Sequence, residues 1–316
     1  MRNMKKVFLA SSVALMLLTA CQNSDSSQQE NQKKTSQADN KKDEKHTSKH
    51  QTENNEKQNK TSGQQHSDKE DKGQTKSSAG QLSDKTKLAL IFYADPKGKY
   101  SLTKNEILTG KYKRQGTGDN DVKQIVDFGL VPYENISQAP DGMKFYMVYP
   151  DKGSYRTVVG VNNDKIYIGA TQSPIRNYQD ALKSGDEYDL NKVYTENKNN
   201  RSLPEMENKI KITQKDPRMD ESDTERKQRE LKESGTEMAH ARSQLFDQIA
   251  QLEGAPANKD YLWDNIKMTK DSWSINYRNQ DGEILGTYKL QGKKMIKEDQ
   301  NGNQVKSAPI KNDSAS

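Results

Sequence analysis

The chain has 316 residues and one cysteine, Cys21, so an internal disulfide, a dithiol redox pair and a thiolate metal cluster are excluded. Its 51 basic and 45 acidic residues leave a formal net charge of +6, too small a surplus to argue for nucleic acid. Of four histidines, His46, His50 and His66 are scattered along one polar stretch, which leaves His240 as the only imidazole beyond it and makes histidine-based catalysis a poor fit.

Arg2, Lys5 and Lys6 precede an apolar run, Val7 to Leu18, that is too short to span a bilayer comfortably. Small Thr19 and Ala20 follow, then Cys21. The tetrapeptide Leu18-Thr19-Ala20-Cys21 resembles the lipobox of bacterial lipoproteins. The resemblance implies that residues 1–20 are a signal peptide, with Leu18, Thr19 and Ala20 read during processing. It also implies that the Cys21 thiol carries a diacylglyceryl group, and two acyl chains are enough for stable anchoring to the outer face of the cell membrane. Loss of the three signal cations lowers the net charge from +6 to +3.

Between Gln22 and Gln81 there is no Val, Ile, Leu, Met, Phe, Trp, Tyr or Cys. Such a segment cannot bury enough apolar surface to offset its ordering entropy, so residues 21–81 are expected to form a lipidated start and a disordered tether. Its r.m.s. reach is on the order of 45 Å, and its stretched length roughly 200 Å. The Lys/Asn/Gln-rich spacer and the absence of Asp after Cys21 are similar to surface lipoproteins of Gram-positive, staphylococcal type.

Order is expected from Leu82. Ser83 suits an N-cap for a helix carrying Leu88, Ile91 and Phe92, although the apolar run at 87–94 also fits a buried strand. Thr103 and Glu106 form a capping box, Leu102 and Ile107 a hydrophobic staple, and Gly110 a stop. Lys111 to Asp121 reads as a polar loop. Strands are expected at Gln124–Val131, Met143–Tyr149, Tyr155–Val161 and Lys165–Ala170, with a tight turn at Asn162-Asn163-Asp164. Ser173-Pro174 then suits the start of a helix with Ile175, Tyr178, Ala181 and Leu182 on its apolar face, ending at Gly185. These elements give an α+β domain with an antiparallel sheet over residues 82–213.

Residues 214–235 are nearly all charged or polar and read as a connector that runs toward the next helix. Met238, Leu245, Ile249 and Leu252 then recur at helical spacing, with Phe246 in support, until Gly254. Strands at Ser272–Arg278, Ile284–Leu290 and Lys294–Lys297, joined through Asn279–Gly282 and Gln291-Gly292, make a helix-plus-meander domain over 236–308. Its element order loosely resembles cystatin-like domains, a likeness that carries no function. Residues 309–316 are a polar tail. The fold class is therefore α+β, two small antiparallel-sheet domains behind a signal peptide and tether.

For chemistry, the GxSxG, HExxH and P-loop patterns are all absent. Asp119-Asn120-Asp121 and Asp299–Asn303 carry oxygen ligands, but Gln304 stands where a calcium loop needs its glycine, and turn chemistry accounts for both. Neither a metal nor a cofactor is expected. Tyr146, Tyr155, Tyr167, Tyr277 and Tyr288 lie in strand runs, where alternation could present rings to a sugar or a protein. The same residues also suit half-buried sheet positions. The reading is a membrane-anchored, non-catalytic binding or accessory module for cell-wall polymers or envelope proteins. Its rival is a carboxylate-dependent wall hydrolase, which requires two acidic groups converging in a cleft, one with a raised pKa.

Overall fold

A computed structural model describes residues 78–116, 122–134, 136–269 and 272–310. The lipobox, Cys21 and most of the expected tether lie outside the described residues. Order is already present at Ala79, which is fully buried with its N–H bonded to Asn191 Oδ1 at 2.8 Å.

Ser83 caps α1 (Asp84–Ala94) by accepting the amide of Thr86. Residues Lys87 to Ala94 are all buried, so α1 is a central helix with no polar face. That explains why periodicity could not separate it from a strand. Its buried cation is satisfied, because Lys87 Nζ donates to Gly80 O and Asn163 Oδ1, both at 2.8 Å. In α2 (Lys104–Thr109) the Thr103–Glu106 capping box is formed, and Gly110 ends the helix at φ 78°.

The stretch after Gly110 is not all loop. β1 (Lys111–Lys113) pairs antiparallel with β2 (Val122–Gln124). The strand expected over Gln124–Val131 is divided in two. Ile125 N–H turns back to Gly110 O at 2.8 Å, and Phe128 packs edge-on against Phe92 at 5.5 Å, so the chain leaves one sheet before β3 (Gly129–Pro132) enters the next. β4 (Lys144–Tyr149), β5 (Arg156–Val161) and β6 (Lys165–Thr171) lie within a residue of their expected bounds.

The next helix starts later than Ser173-Pro174. α3 (Tyr178–Lys183) is capped by Asn177, whose Oδ1 accepts the Asp180 amide, and Leu182 stays exposed. Gly185 opens a fifth strand, β7 (Gly185–Asp189), rather than a loop. The Tyr167 ring occupies the space that a Cβ at 185 would need. Two helices not expected from the sequence, α4 (Leu190–Asn197) and α5 (Leu203–Lys209), complete this half.

The sheet runs β3-β4-β5-β6-β7, antiparallel throughout. Its inner face supplies Val148, Val159, Ile166 and Ile168 to a core shared with α1, α4 and α5. The β3 edge is covered by the chain after α5, as Leu130 N–H reaches Lys211 O and Thr213 N–H reaches Leu130 O.

The connector is itself largely helical. After a 3-10 turn at Pro217–Asp220, residues 223–234 form α6 (Asp223–Ser234). None of its residues is buried, so no apolar stripe marks it. A Ser222–Glu225 capping box, Gly235 in the left-handed region and the Arg229 pairs with Glu221 and Glu233 hold it. Ser222→Ala is expected to weaken α6 by about 1 kcal/mol, roughly a fivefold faster amide exchange in its first turns. Hydrogen exchange should show the change there and leave the sheet amides alone.

α7 (Ala239–Glu253) buries Leu245, Ile249 and Leu252 against the second sheet, as its spacing implies, and exposes His240. That sheet contains β8 (Leu262–Trp263), β9 (Lys267–Met268), β10 (Ser272–Arg278), β11 (Ile284–Gln291), β12 (Lys294–Asp299) and β13 (Gln304–Pro309). The order is β13-β12-β11-β10-β8, with β9 also on β10. β13 was not expected, and it takes the first residue of the supposed tail.

The two halves keep separate apolar cores within one compact unit. Between them the contacts are polar. The β10–β11 turn inserts beside α2 and α5, where Asn105 Nδ2 donates to Gln280 O and Asn200 Nδ2 to Asp281 O. At the centre, fully buried Arg278 uses all five of its N–H groups. Nε and Nη2 donate to Asp264 at 2.6 and 2.8 Å, Nη1 and Nη2 to Glu205 of α5 at 2.7 and 2.8 Å, and Nη1 also to Gly282 O at 2.9 Å.

Candidate functional site

Strand alternation fixes what the outer face of the five-stranded sheet carries. One row runs Val131, Met147, Val158, Gly169, Gly185 across all five strands. The next runs Phe145, Gly160, Tyr167, Glu187. Glycine at 160, 169 and 185 leaves room for the rings of Phe145 and Tyr167 to lie flat on the sheet. Tyr167 and Tyr178 meet edge-on at 5.9 Å, and the Tyr167 hydroxyl donates to Ala181 O at 2.9 Å, which seats α3 on this face.

The covering layer is made of two segments tied together. Ser137 N–H donates to Arg176 O, Tyr178 N–H to Ser137 O, and Ile175 N–H to the Tyr133 hydroxyl. These segments cover only part of the sheet. Beside them is a groove of ≈ 440 Å³, floored by Met147 and Val158 and walled by Tyr133 and Pro174. Ser154, Thr171, Gln172 and Ser173 supply its polar rim.

Arg156 stands in the wall of this groove. Among the described residues its guanidinium forms no salt bridge within 4.0 Å, and its one side-chain hydrogen-bond contact is the Met147 sulfur at 4.0 Å. Met147 and Arg156 also line a small recess of ≈ 60 Å³ that holds Asp151, Asp216 and Arg218. Arg218 forks onto Asp216, Nε to Oδ1 at 2.9 Å and Nη2 to Oδ2 at 2.5 Å, and lies 4.0 Å from Asp151 Oδ2. Burial pushes the Asp151 carboxyl up more than Arg218 and Arg156 pull it down. At Asp216 burial acts the same way, but the Arg218 hydrogen bonds and charge outweigh it and hold the carboxyl low.

The tyrosines singled out by strand position are mostly core. Tyr146, Tyr167, Tyr277 and Tyr288 are buried. Tyr146 packs inward beneath the sheet, Tyr167 lies under α3, and Tyr277 and Tyr288 stack with Trp263 beneath α7. Tyr155 is half-buried, and its hydroxyl donates to Gln115 Oε1 at 2.6 Å. None of the five lines the large groove, whose walls come from Tyr133, Met147, Arg156, Val158 and Pro174. The period of two in Arg156, Val158, Gly160 was readable; that this face is only half covered was not. In the Asp299–Asn303 turn, Asp299 accepts the amides of Asn301 and Asn303, a turn-forming role, and Asp119–Asp121 lies outside the described residues.

Among the described residues no three His, Cys, Asp or Glu side chains gather as a metal site would need, and no helix is long and apolar enough to cross a membrane. No family model, curated protein or solved structure matches the chain.

Proposed function

We propose that the protein is a lipid-anchored binding module of the cell surface, held to the membrane through Cys21, whose outer-sheet groove docks an envelope polymer carrying carboxylate or phosphate groups. The observation that carries the ligand class is Arg156. A cation that has no carboxylate within 4.0 Å among the described residues, and only Asp151 acting on it from farther off, set beside an apolar floor and a hydroxyl- and amide-rich rim, is complementary to an anionic chain with apolar and hydroxyl-bearing faces. Membrane attachment would add avidity to a weak contact.

The test is a pull-down of the unlipidated chain from Gln22 onward on purified cell-wall sacculi, with the supernatant assayed for released fragments. Saturable binding without release, weakened about tenfold or more by Arg156→Glu, is the expected result. Binding that ignores Arg156→Glu refutes the groove, and absence of binding turns the search to an envelope protein. In cells, Cys21→Ala should release the protein or leave the precursor uncut.

A second reading has one specific observation in its favour, the convergence of Asp151 and Asp216 with opposite pKa shifts. Against it, Arg218 already occupies the space between the carboxylates, and a recess of ≈ 60 Å³ has no room for a sugar ring. Fragment release abolished by Asp151→Asn would establish the hydrolase in place of the binding module.

A further inference from the structure

A second groove, of ≈ 420 Å³, opens where β3 and β4 meet the chain after α5, and Tyr133 is a wall of both it and the Arg156 groove. Pro132, Met143, Phe145 and Ile212 give it an apolar lining, and Glu134 and Lys144 supply its charges. Tyr133 is fixed at the divide. Its N–H donates to Phe145 O at 2.9 Å, and its hydroxyl accepts the Ile175 N–H at 3.0 Å, while the ring stays half-buried. β4 runs beneath both compartments, with Met147 in the first and Phe145 and Met143 in the second.

The two compartments hold opposite unmatched charges. In the first, Arg156 has no carboxylate within 4.0 Å among the described residues, with Asp151 acting from farther off. In the second, Glu134 is exposed, and among the described residues its carboxylate takes no hydrogen bond and no salt bridge. Lys144 is its nearest candidate, because the Tyr133–Phe145 bond continues the β3–β4 register and sets Glu134 opposite it. The Lys144 amine, however, donates to Asp84 Oδ2 at 3.0 Å. Lys144 pairs with Val161, five positions along β5 from Arg156. Glu134 and Arg156 therefore stem from backbone sites roughly 20 Å apart, at about 3.3 Å per residue and 4.8 Å per strand. Either charge alone is an ordinary solvated side chain; what is specific is their placement in two grooves that share one wall.

We propose that the polymer docked in the Arg156 groove also fills this second groove, setting an ammonium group at Glu134, an anionic group at Arg156 and an uncharged stretch across Tyr133. The ligand is then a dipolar polymer segment and not a purely anionic one. This inference rests on the docking role given to the Arg156 groove, and it adds the cationic group and the length. A span of roughly 20 Å calls for a segment of chain, since one small unit cannot reach both charges. Exposed ion pairs are each worth only a few-fold in affinity. A polymer brings both groups on one chain, so the first contact raises the effective concentration for the second.

Chemically edited sacculi provide the test, with the same unlipidated chain and at low ionic strength, where such contacts are least screened. Acetic anhydride converts the free amines of the sacculi to neutral amides. Acetylation should weaken binding of the unaltered chain about threefold, and Glu134→Gln should weaken binding to untreated sacculi by the same factor. The two changes should not add. Each removes one side of a single contact, so Glu134→Gln should bind treated and untreated sacculi alike. Succinic anhydride converts the amines to carboxylates instead. Glu134→Lys should prefer succinylated over acetylated sacculi by a larger factor than the unaltered chain does, a gain that a damaged fold cannot produce. The dipolar site is refuted if acetylation leaves binding of the unaltered chain unchanged, or if it weakens Glu134→Gln just as much. Where Arg156→Glu still weakens binding, the anionic groove then stands without its second compartment. Where untreated sacculi are not bound at all, both readings fall.

Discussion

Arg278→Met is expected to lower the unfolding free energy by about 3–5 kcal/mol, because it strands two carboxylates in a seam built to neutralise them. The geometry sets the size of the effect. Asp264 is itself buried and Glu205 only partly exposed, and both take two-point contacts from the same guanidinium. Losing it removes five hydrogen bonds and leaves the carboxylates with weaker partners, chiefly Asn276 on Asp264. In a unit of this size the midpoint should fall by roughly 6–20 °C. Neutralising the stranded acids gives the control. Arg278→Met combined with Asp264→Asn and Glu205→Gln should recover part of the loss in urea unfolding. If the triple variant is no more stable than the single one, the loss comes from packing and the charge argument fails.

The same seam shows where a sequence stops being legible. Glu205 lies 73 positions before Arg278 and Asp264 lies 14 before it, and each reads alone as an ordinary surface charge. Only the tertiary path of α5 and of the β10–β11 turn makes them partners. Local signals, by contrast, were faithful. The Thr103–Glu106 box, Gly110 and Gly254 at helix ends, and the strands with regular alternation all fall where the residues place them. Ambiguity and misses came where the usual pattern is missing for a physical reason. α1 has no polar side, α6 has no apolar side, and β7 begins at a glycine whose purpose is to clear a ring from another strand. The groove was illegible for a further reason. Which part of a sheet face stays open depends on how far the covering loops reach, and no strand encodes that.

Tyr167 tests whether the covering layer and the groove depend on each other. Its ring is fully buried, lies over Gly169 and Gly185, and contacts Phe145 and Tyr178, while its hydroxyl holds Ala181 O. Tyr167→Ala should therefore cost about 3–5 kcal/mol, and it should unseat α3 with the 172–177 segment that walls the groove. Tyr167→Phe keeps the ring and should cost only about 1 kcal/mol. The two variants thus separate packing from the hydrogen bond, and sacculus binding should follow packing: kept in Phe, lost in Ala. The hydroxyl has its own signature. Burial raises the Tyr167 phenol to about 12, as it does that of Tyr93, from an ordinary value of 10.0. Above pH 10 an unfolded tyrosine gives up its proton while the folded one keeps it, so the unfolded state binds fewer protons and stability falls with rising pH. The contribution is whole below pH 10 and is lost between about 10 and 12, at about 1.4 kcal/mol per pH unit for each such tyrosine. Urea unfolding of Tyr167→Phe across that range should show a shallower decline by one tyrosine's share. An unchanged slope would mean that the Tyr167 hydroxyl titrates as it does in the unfolded chain, and is therefore not held buried against Ala181 O beneath α3.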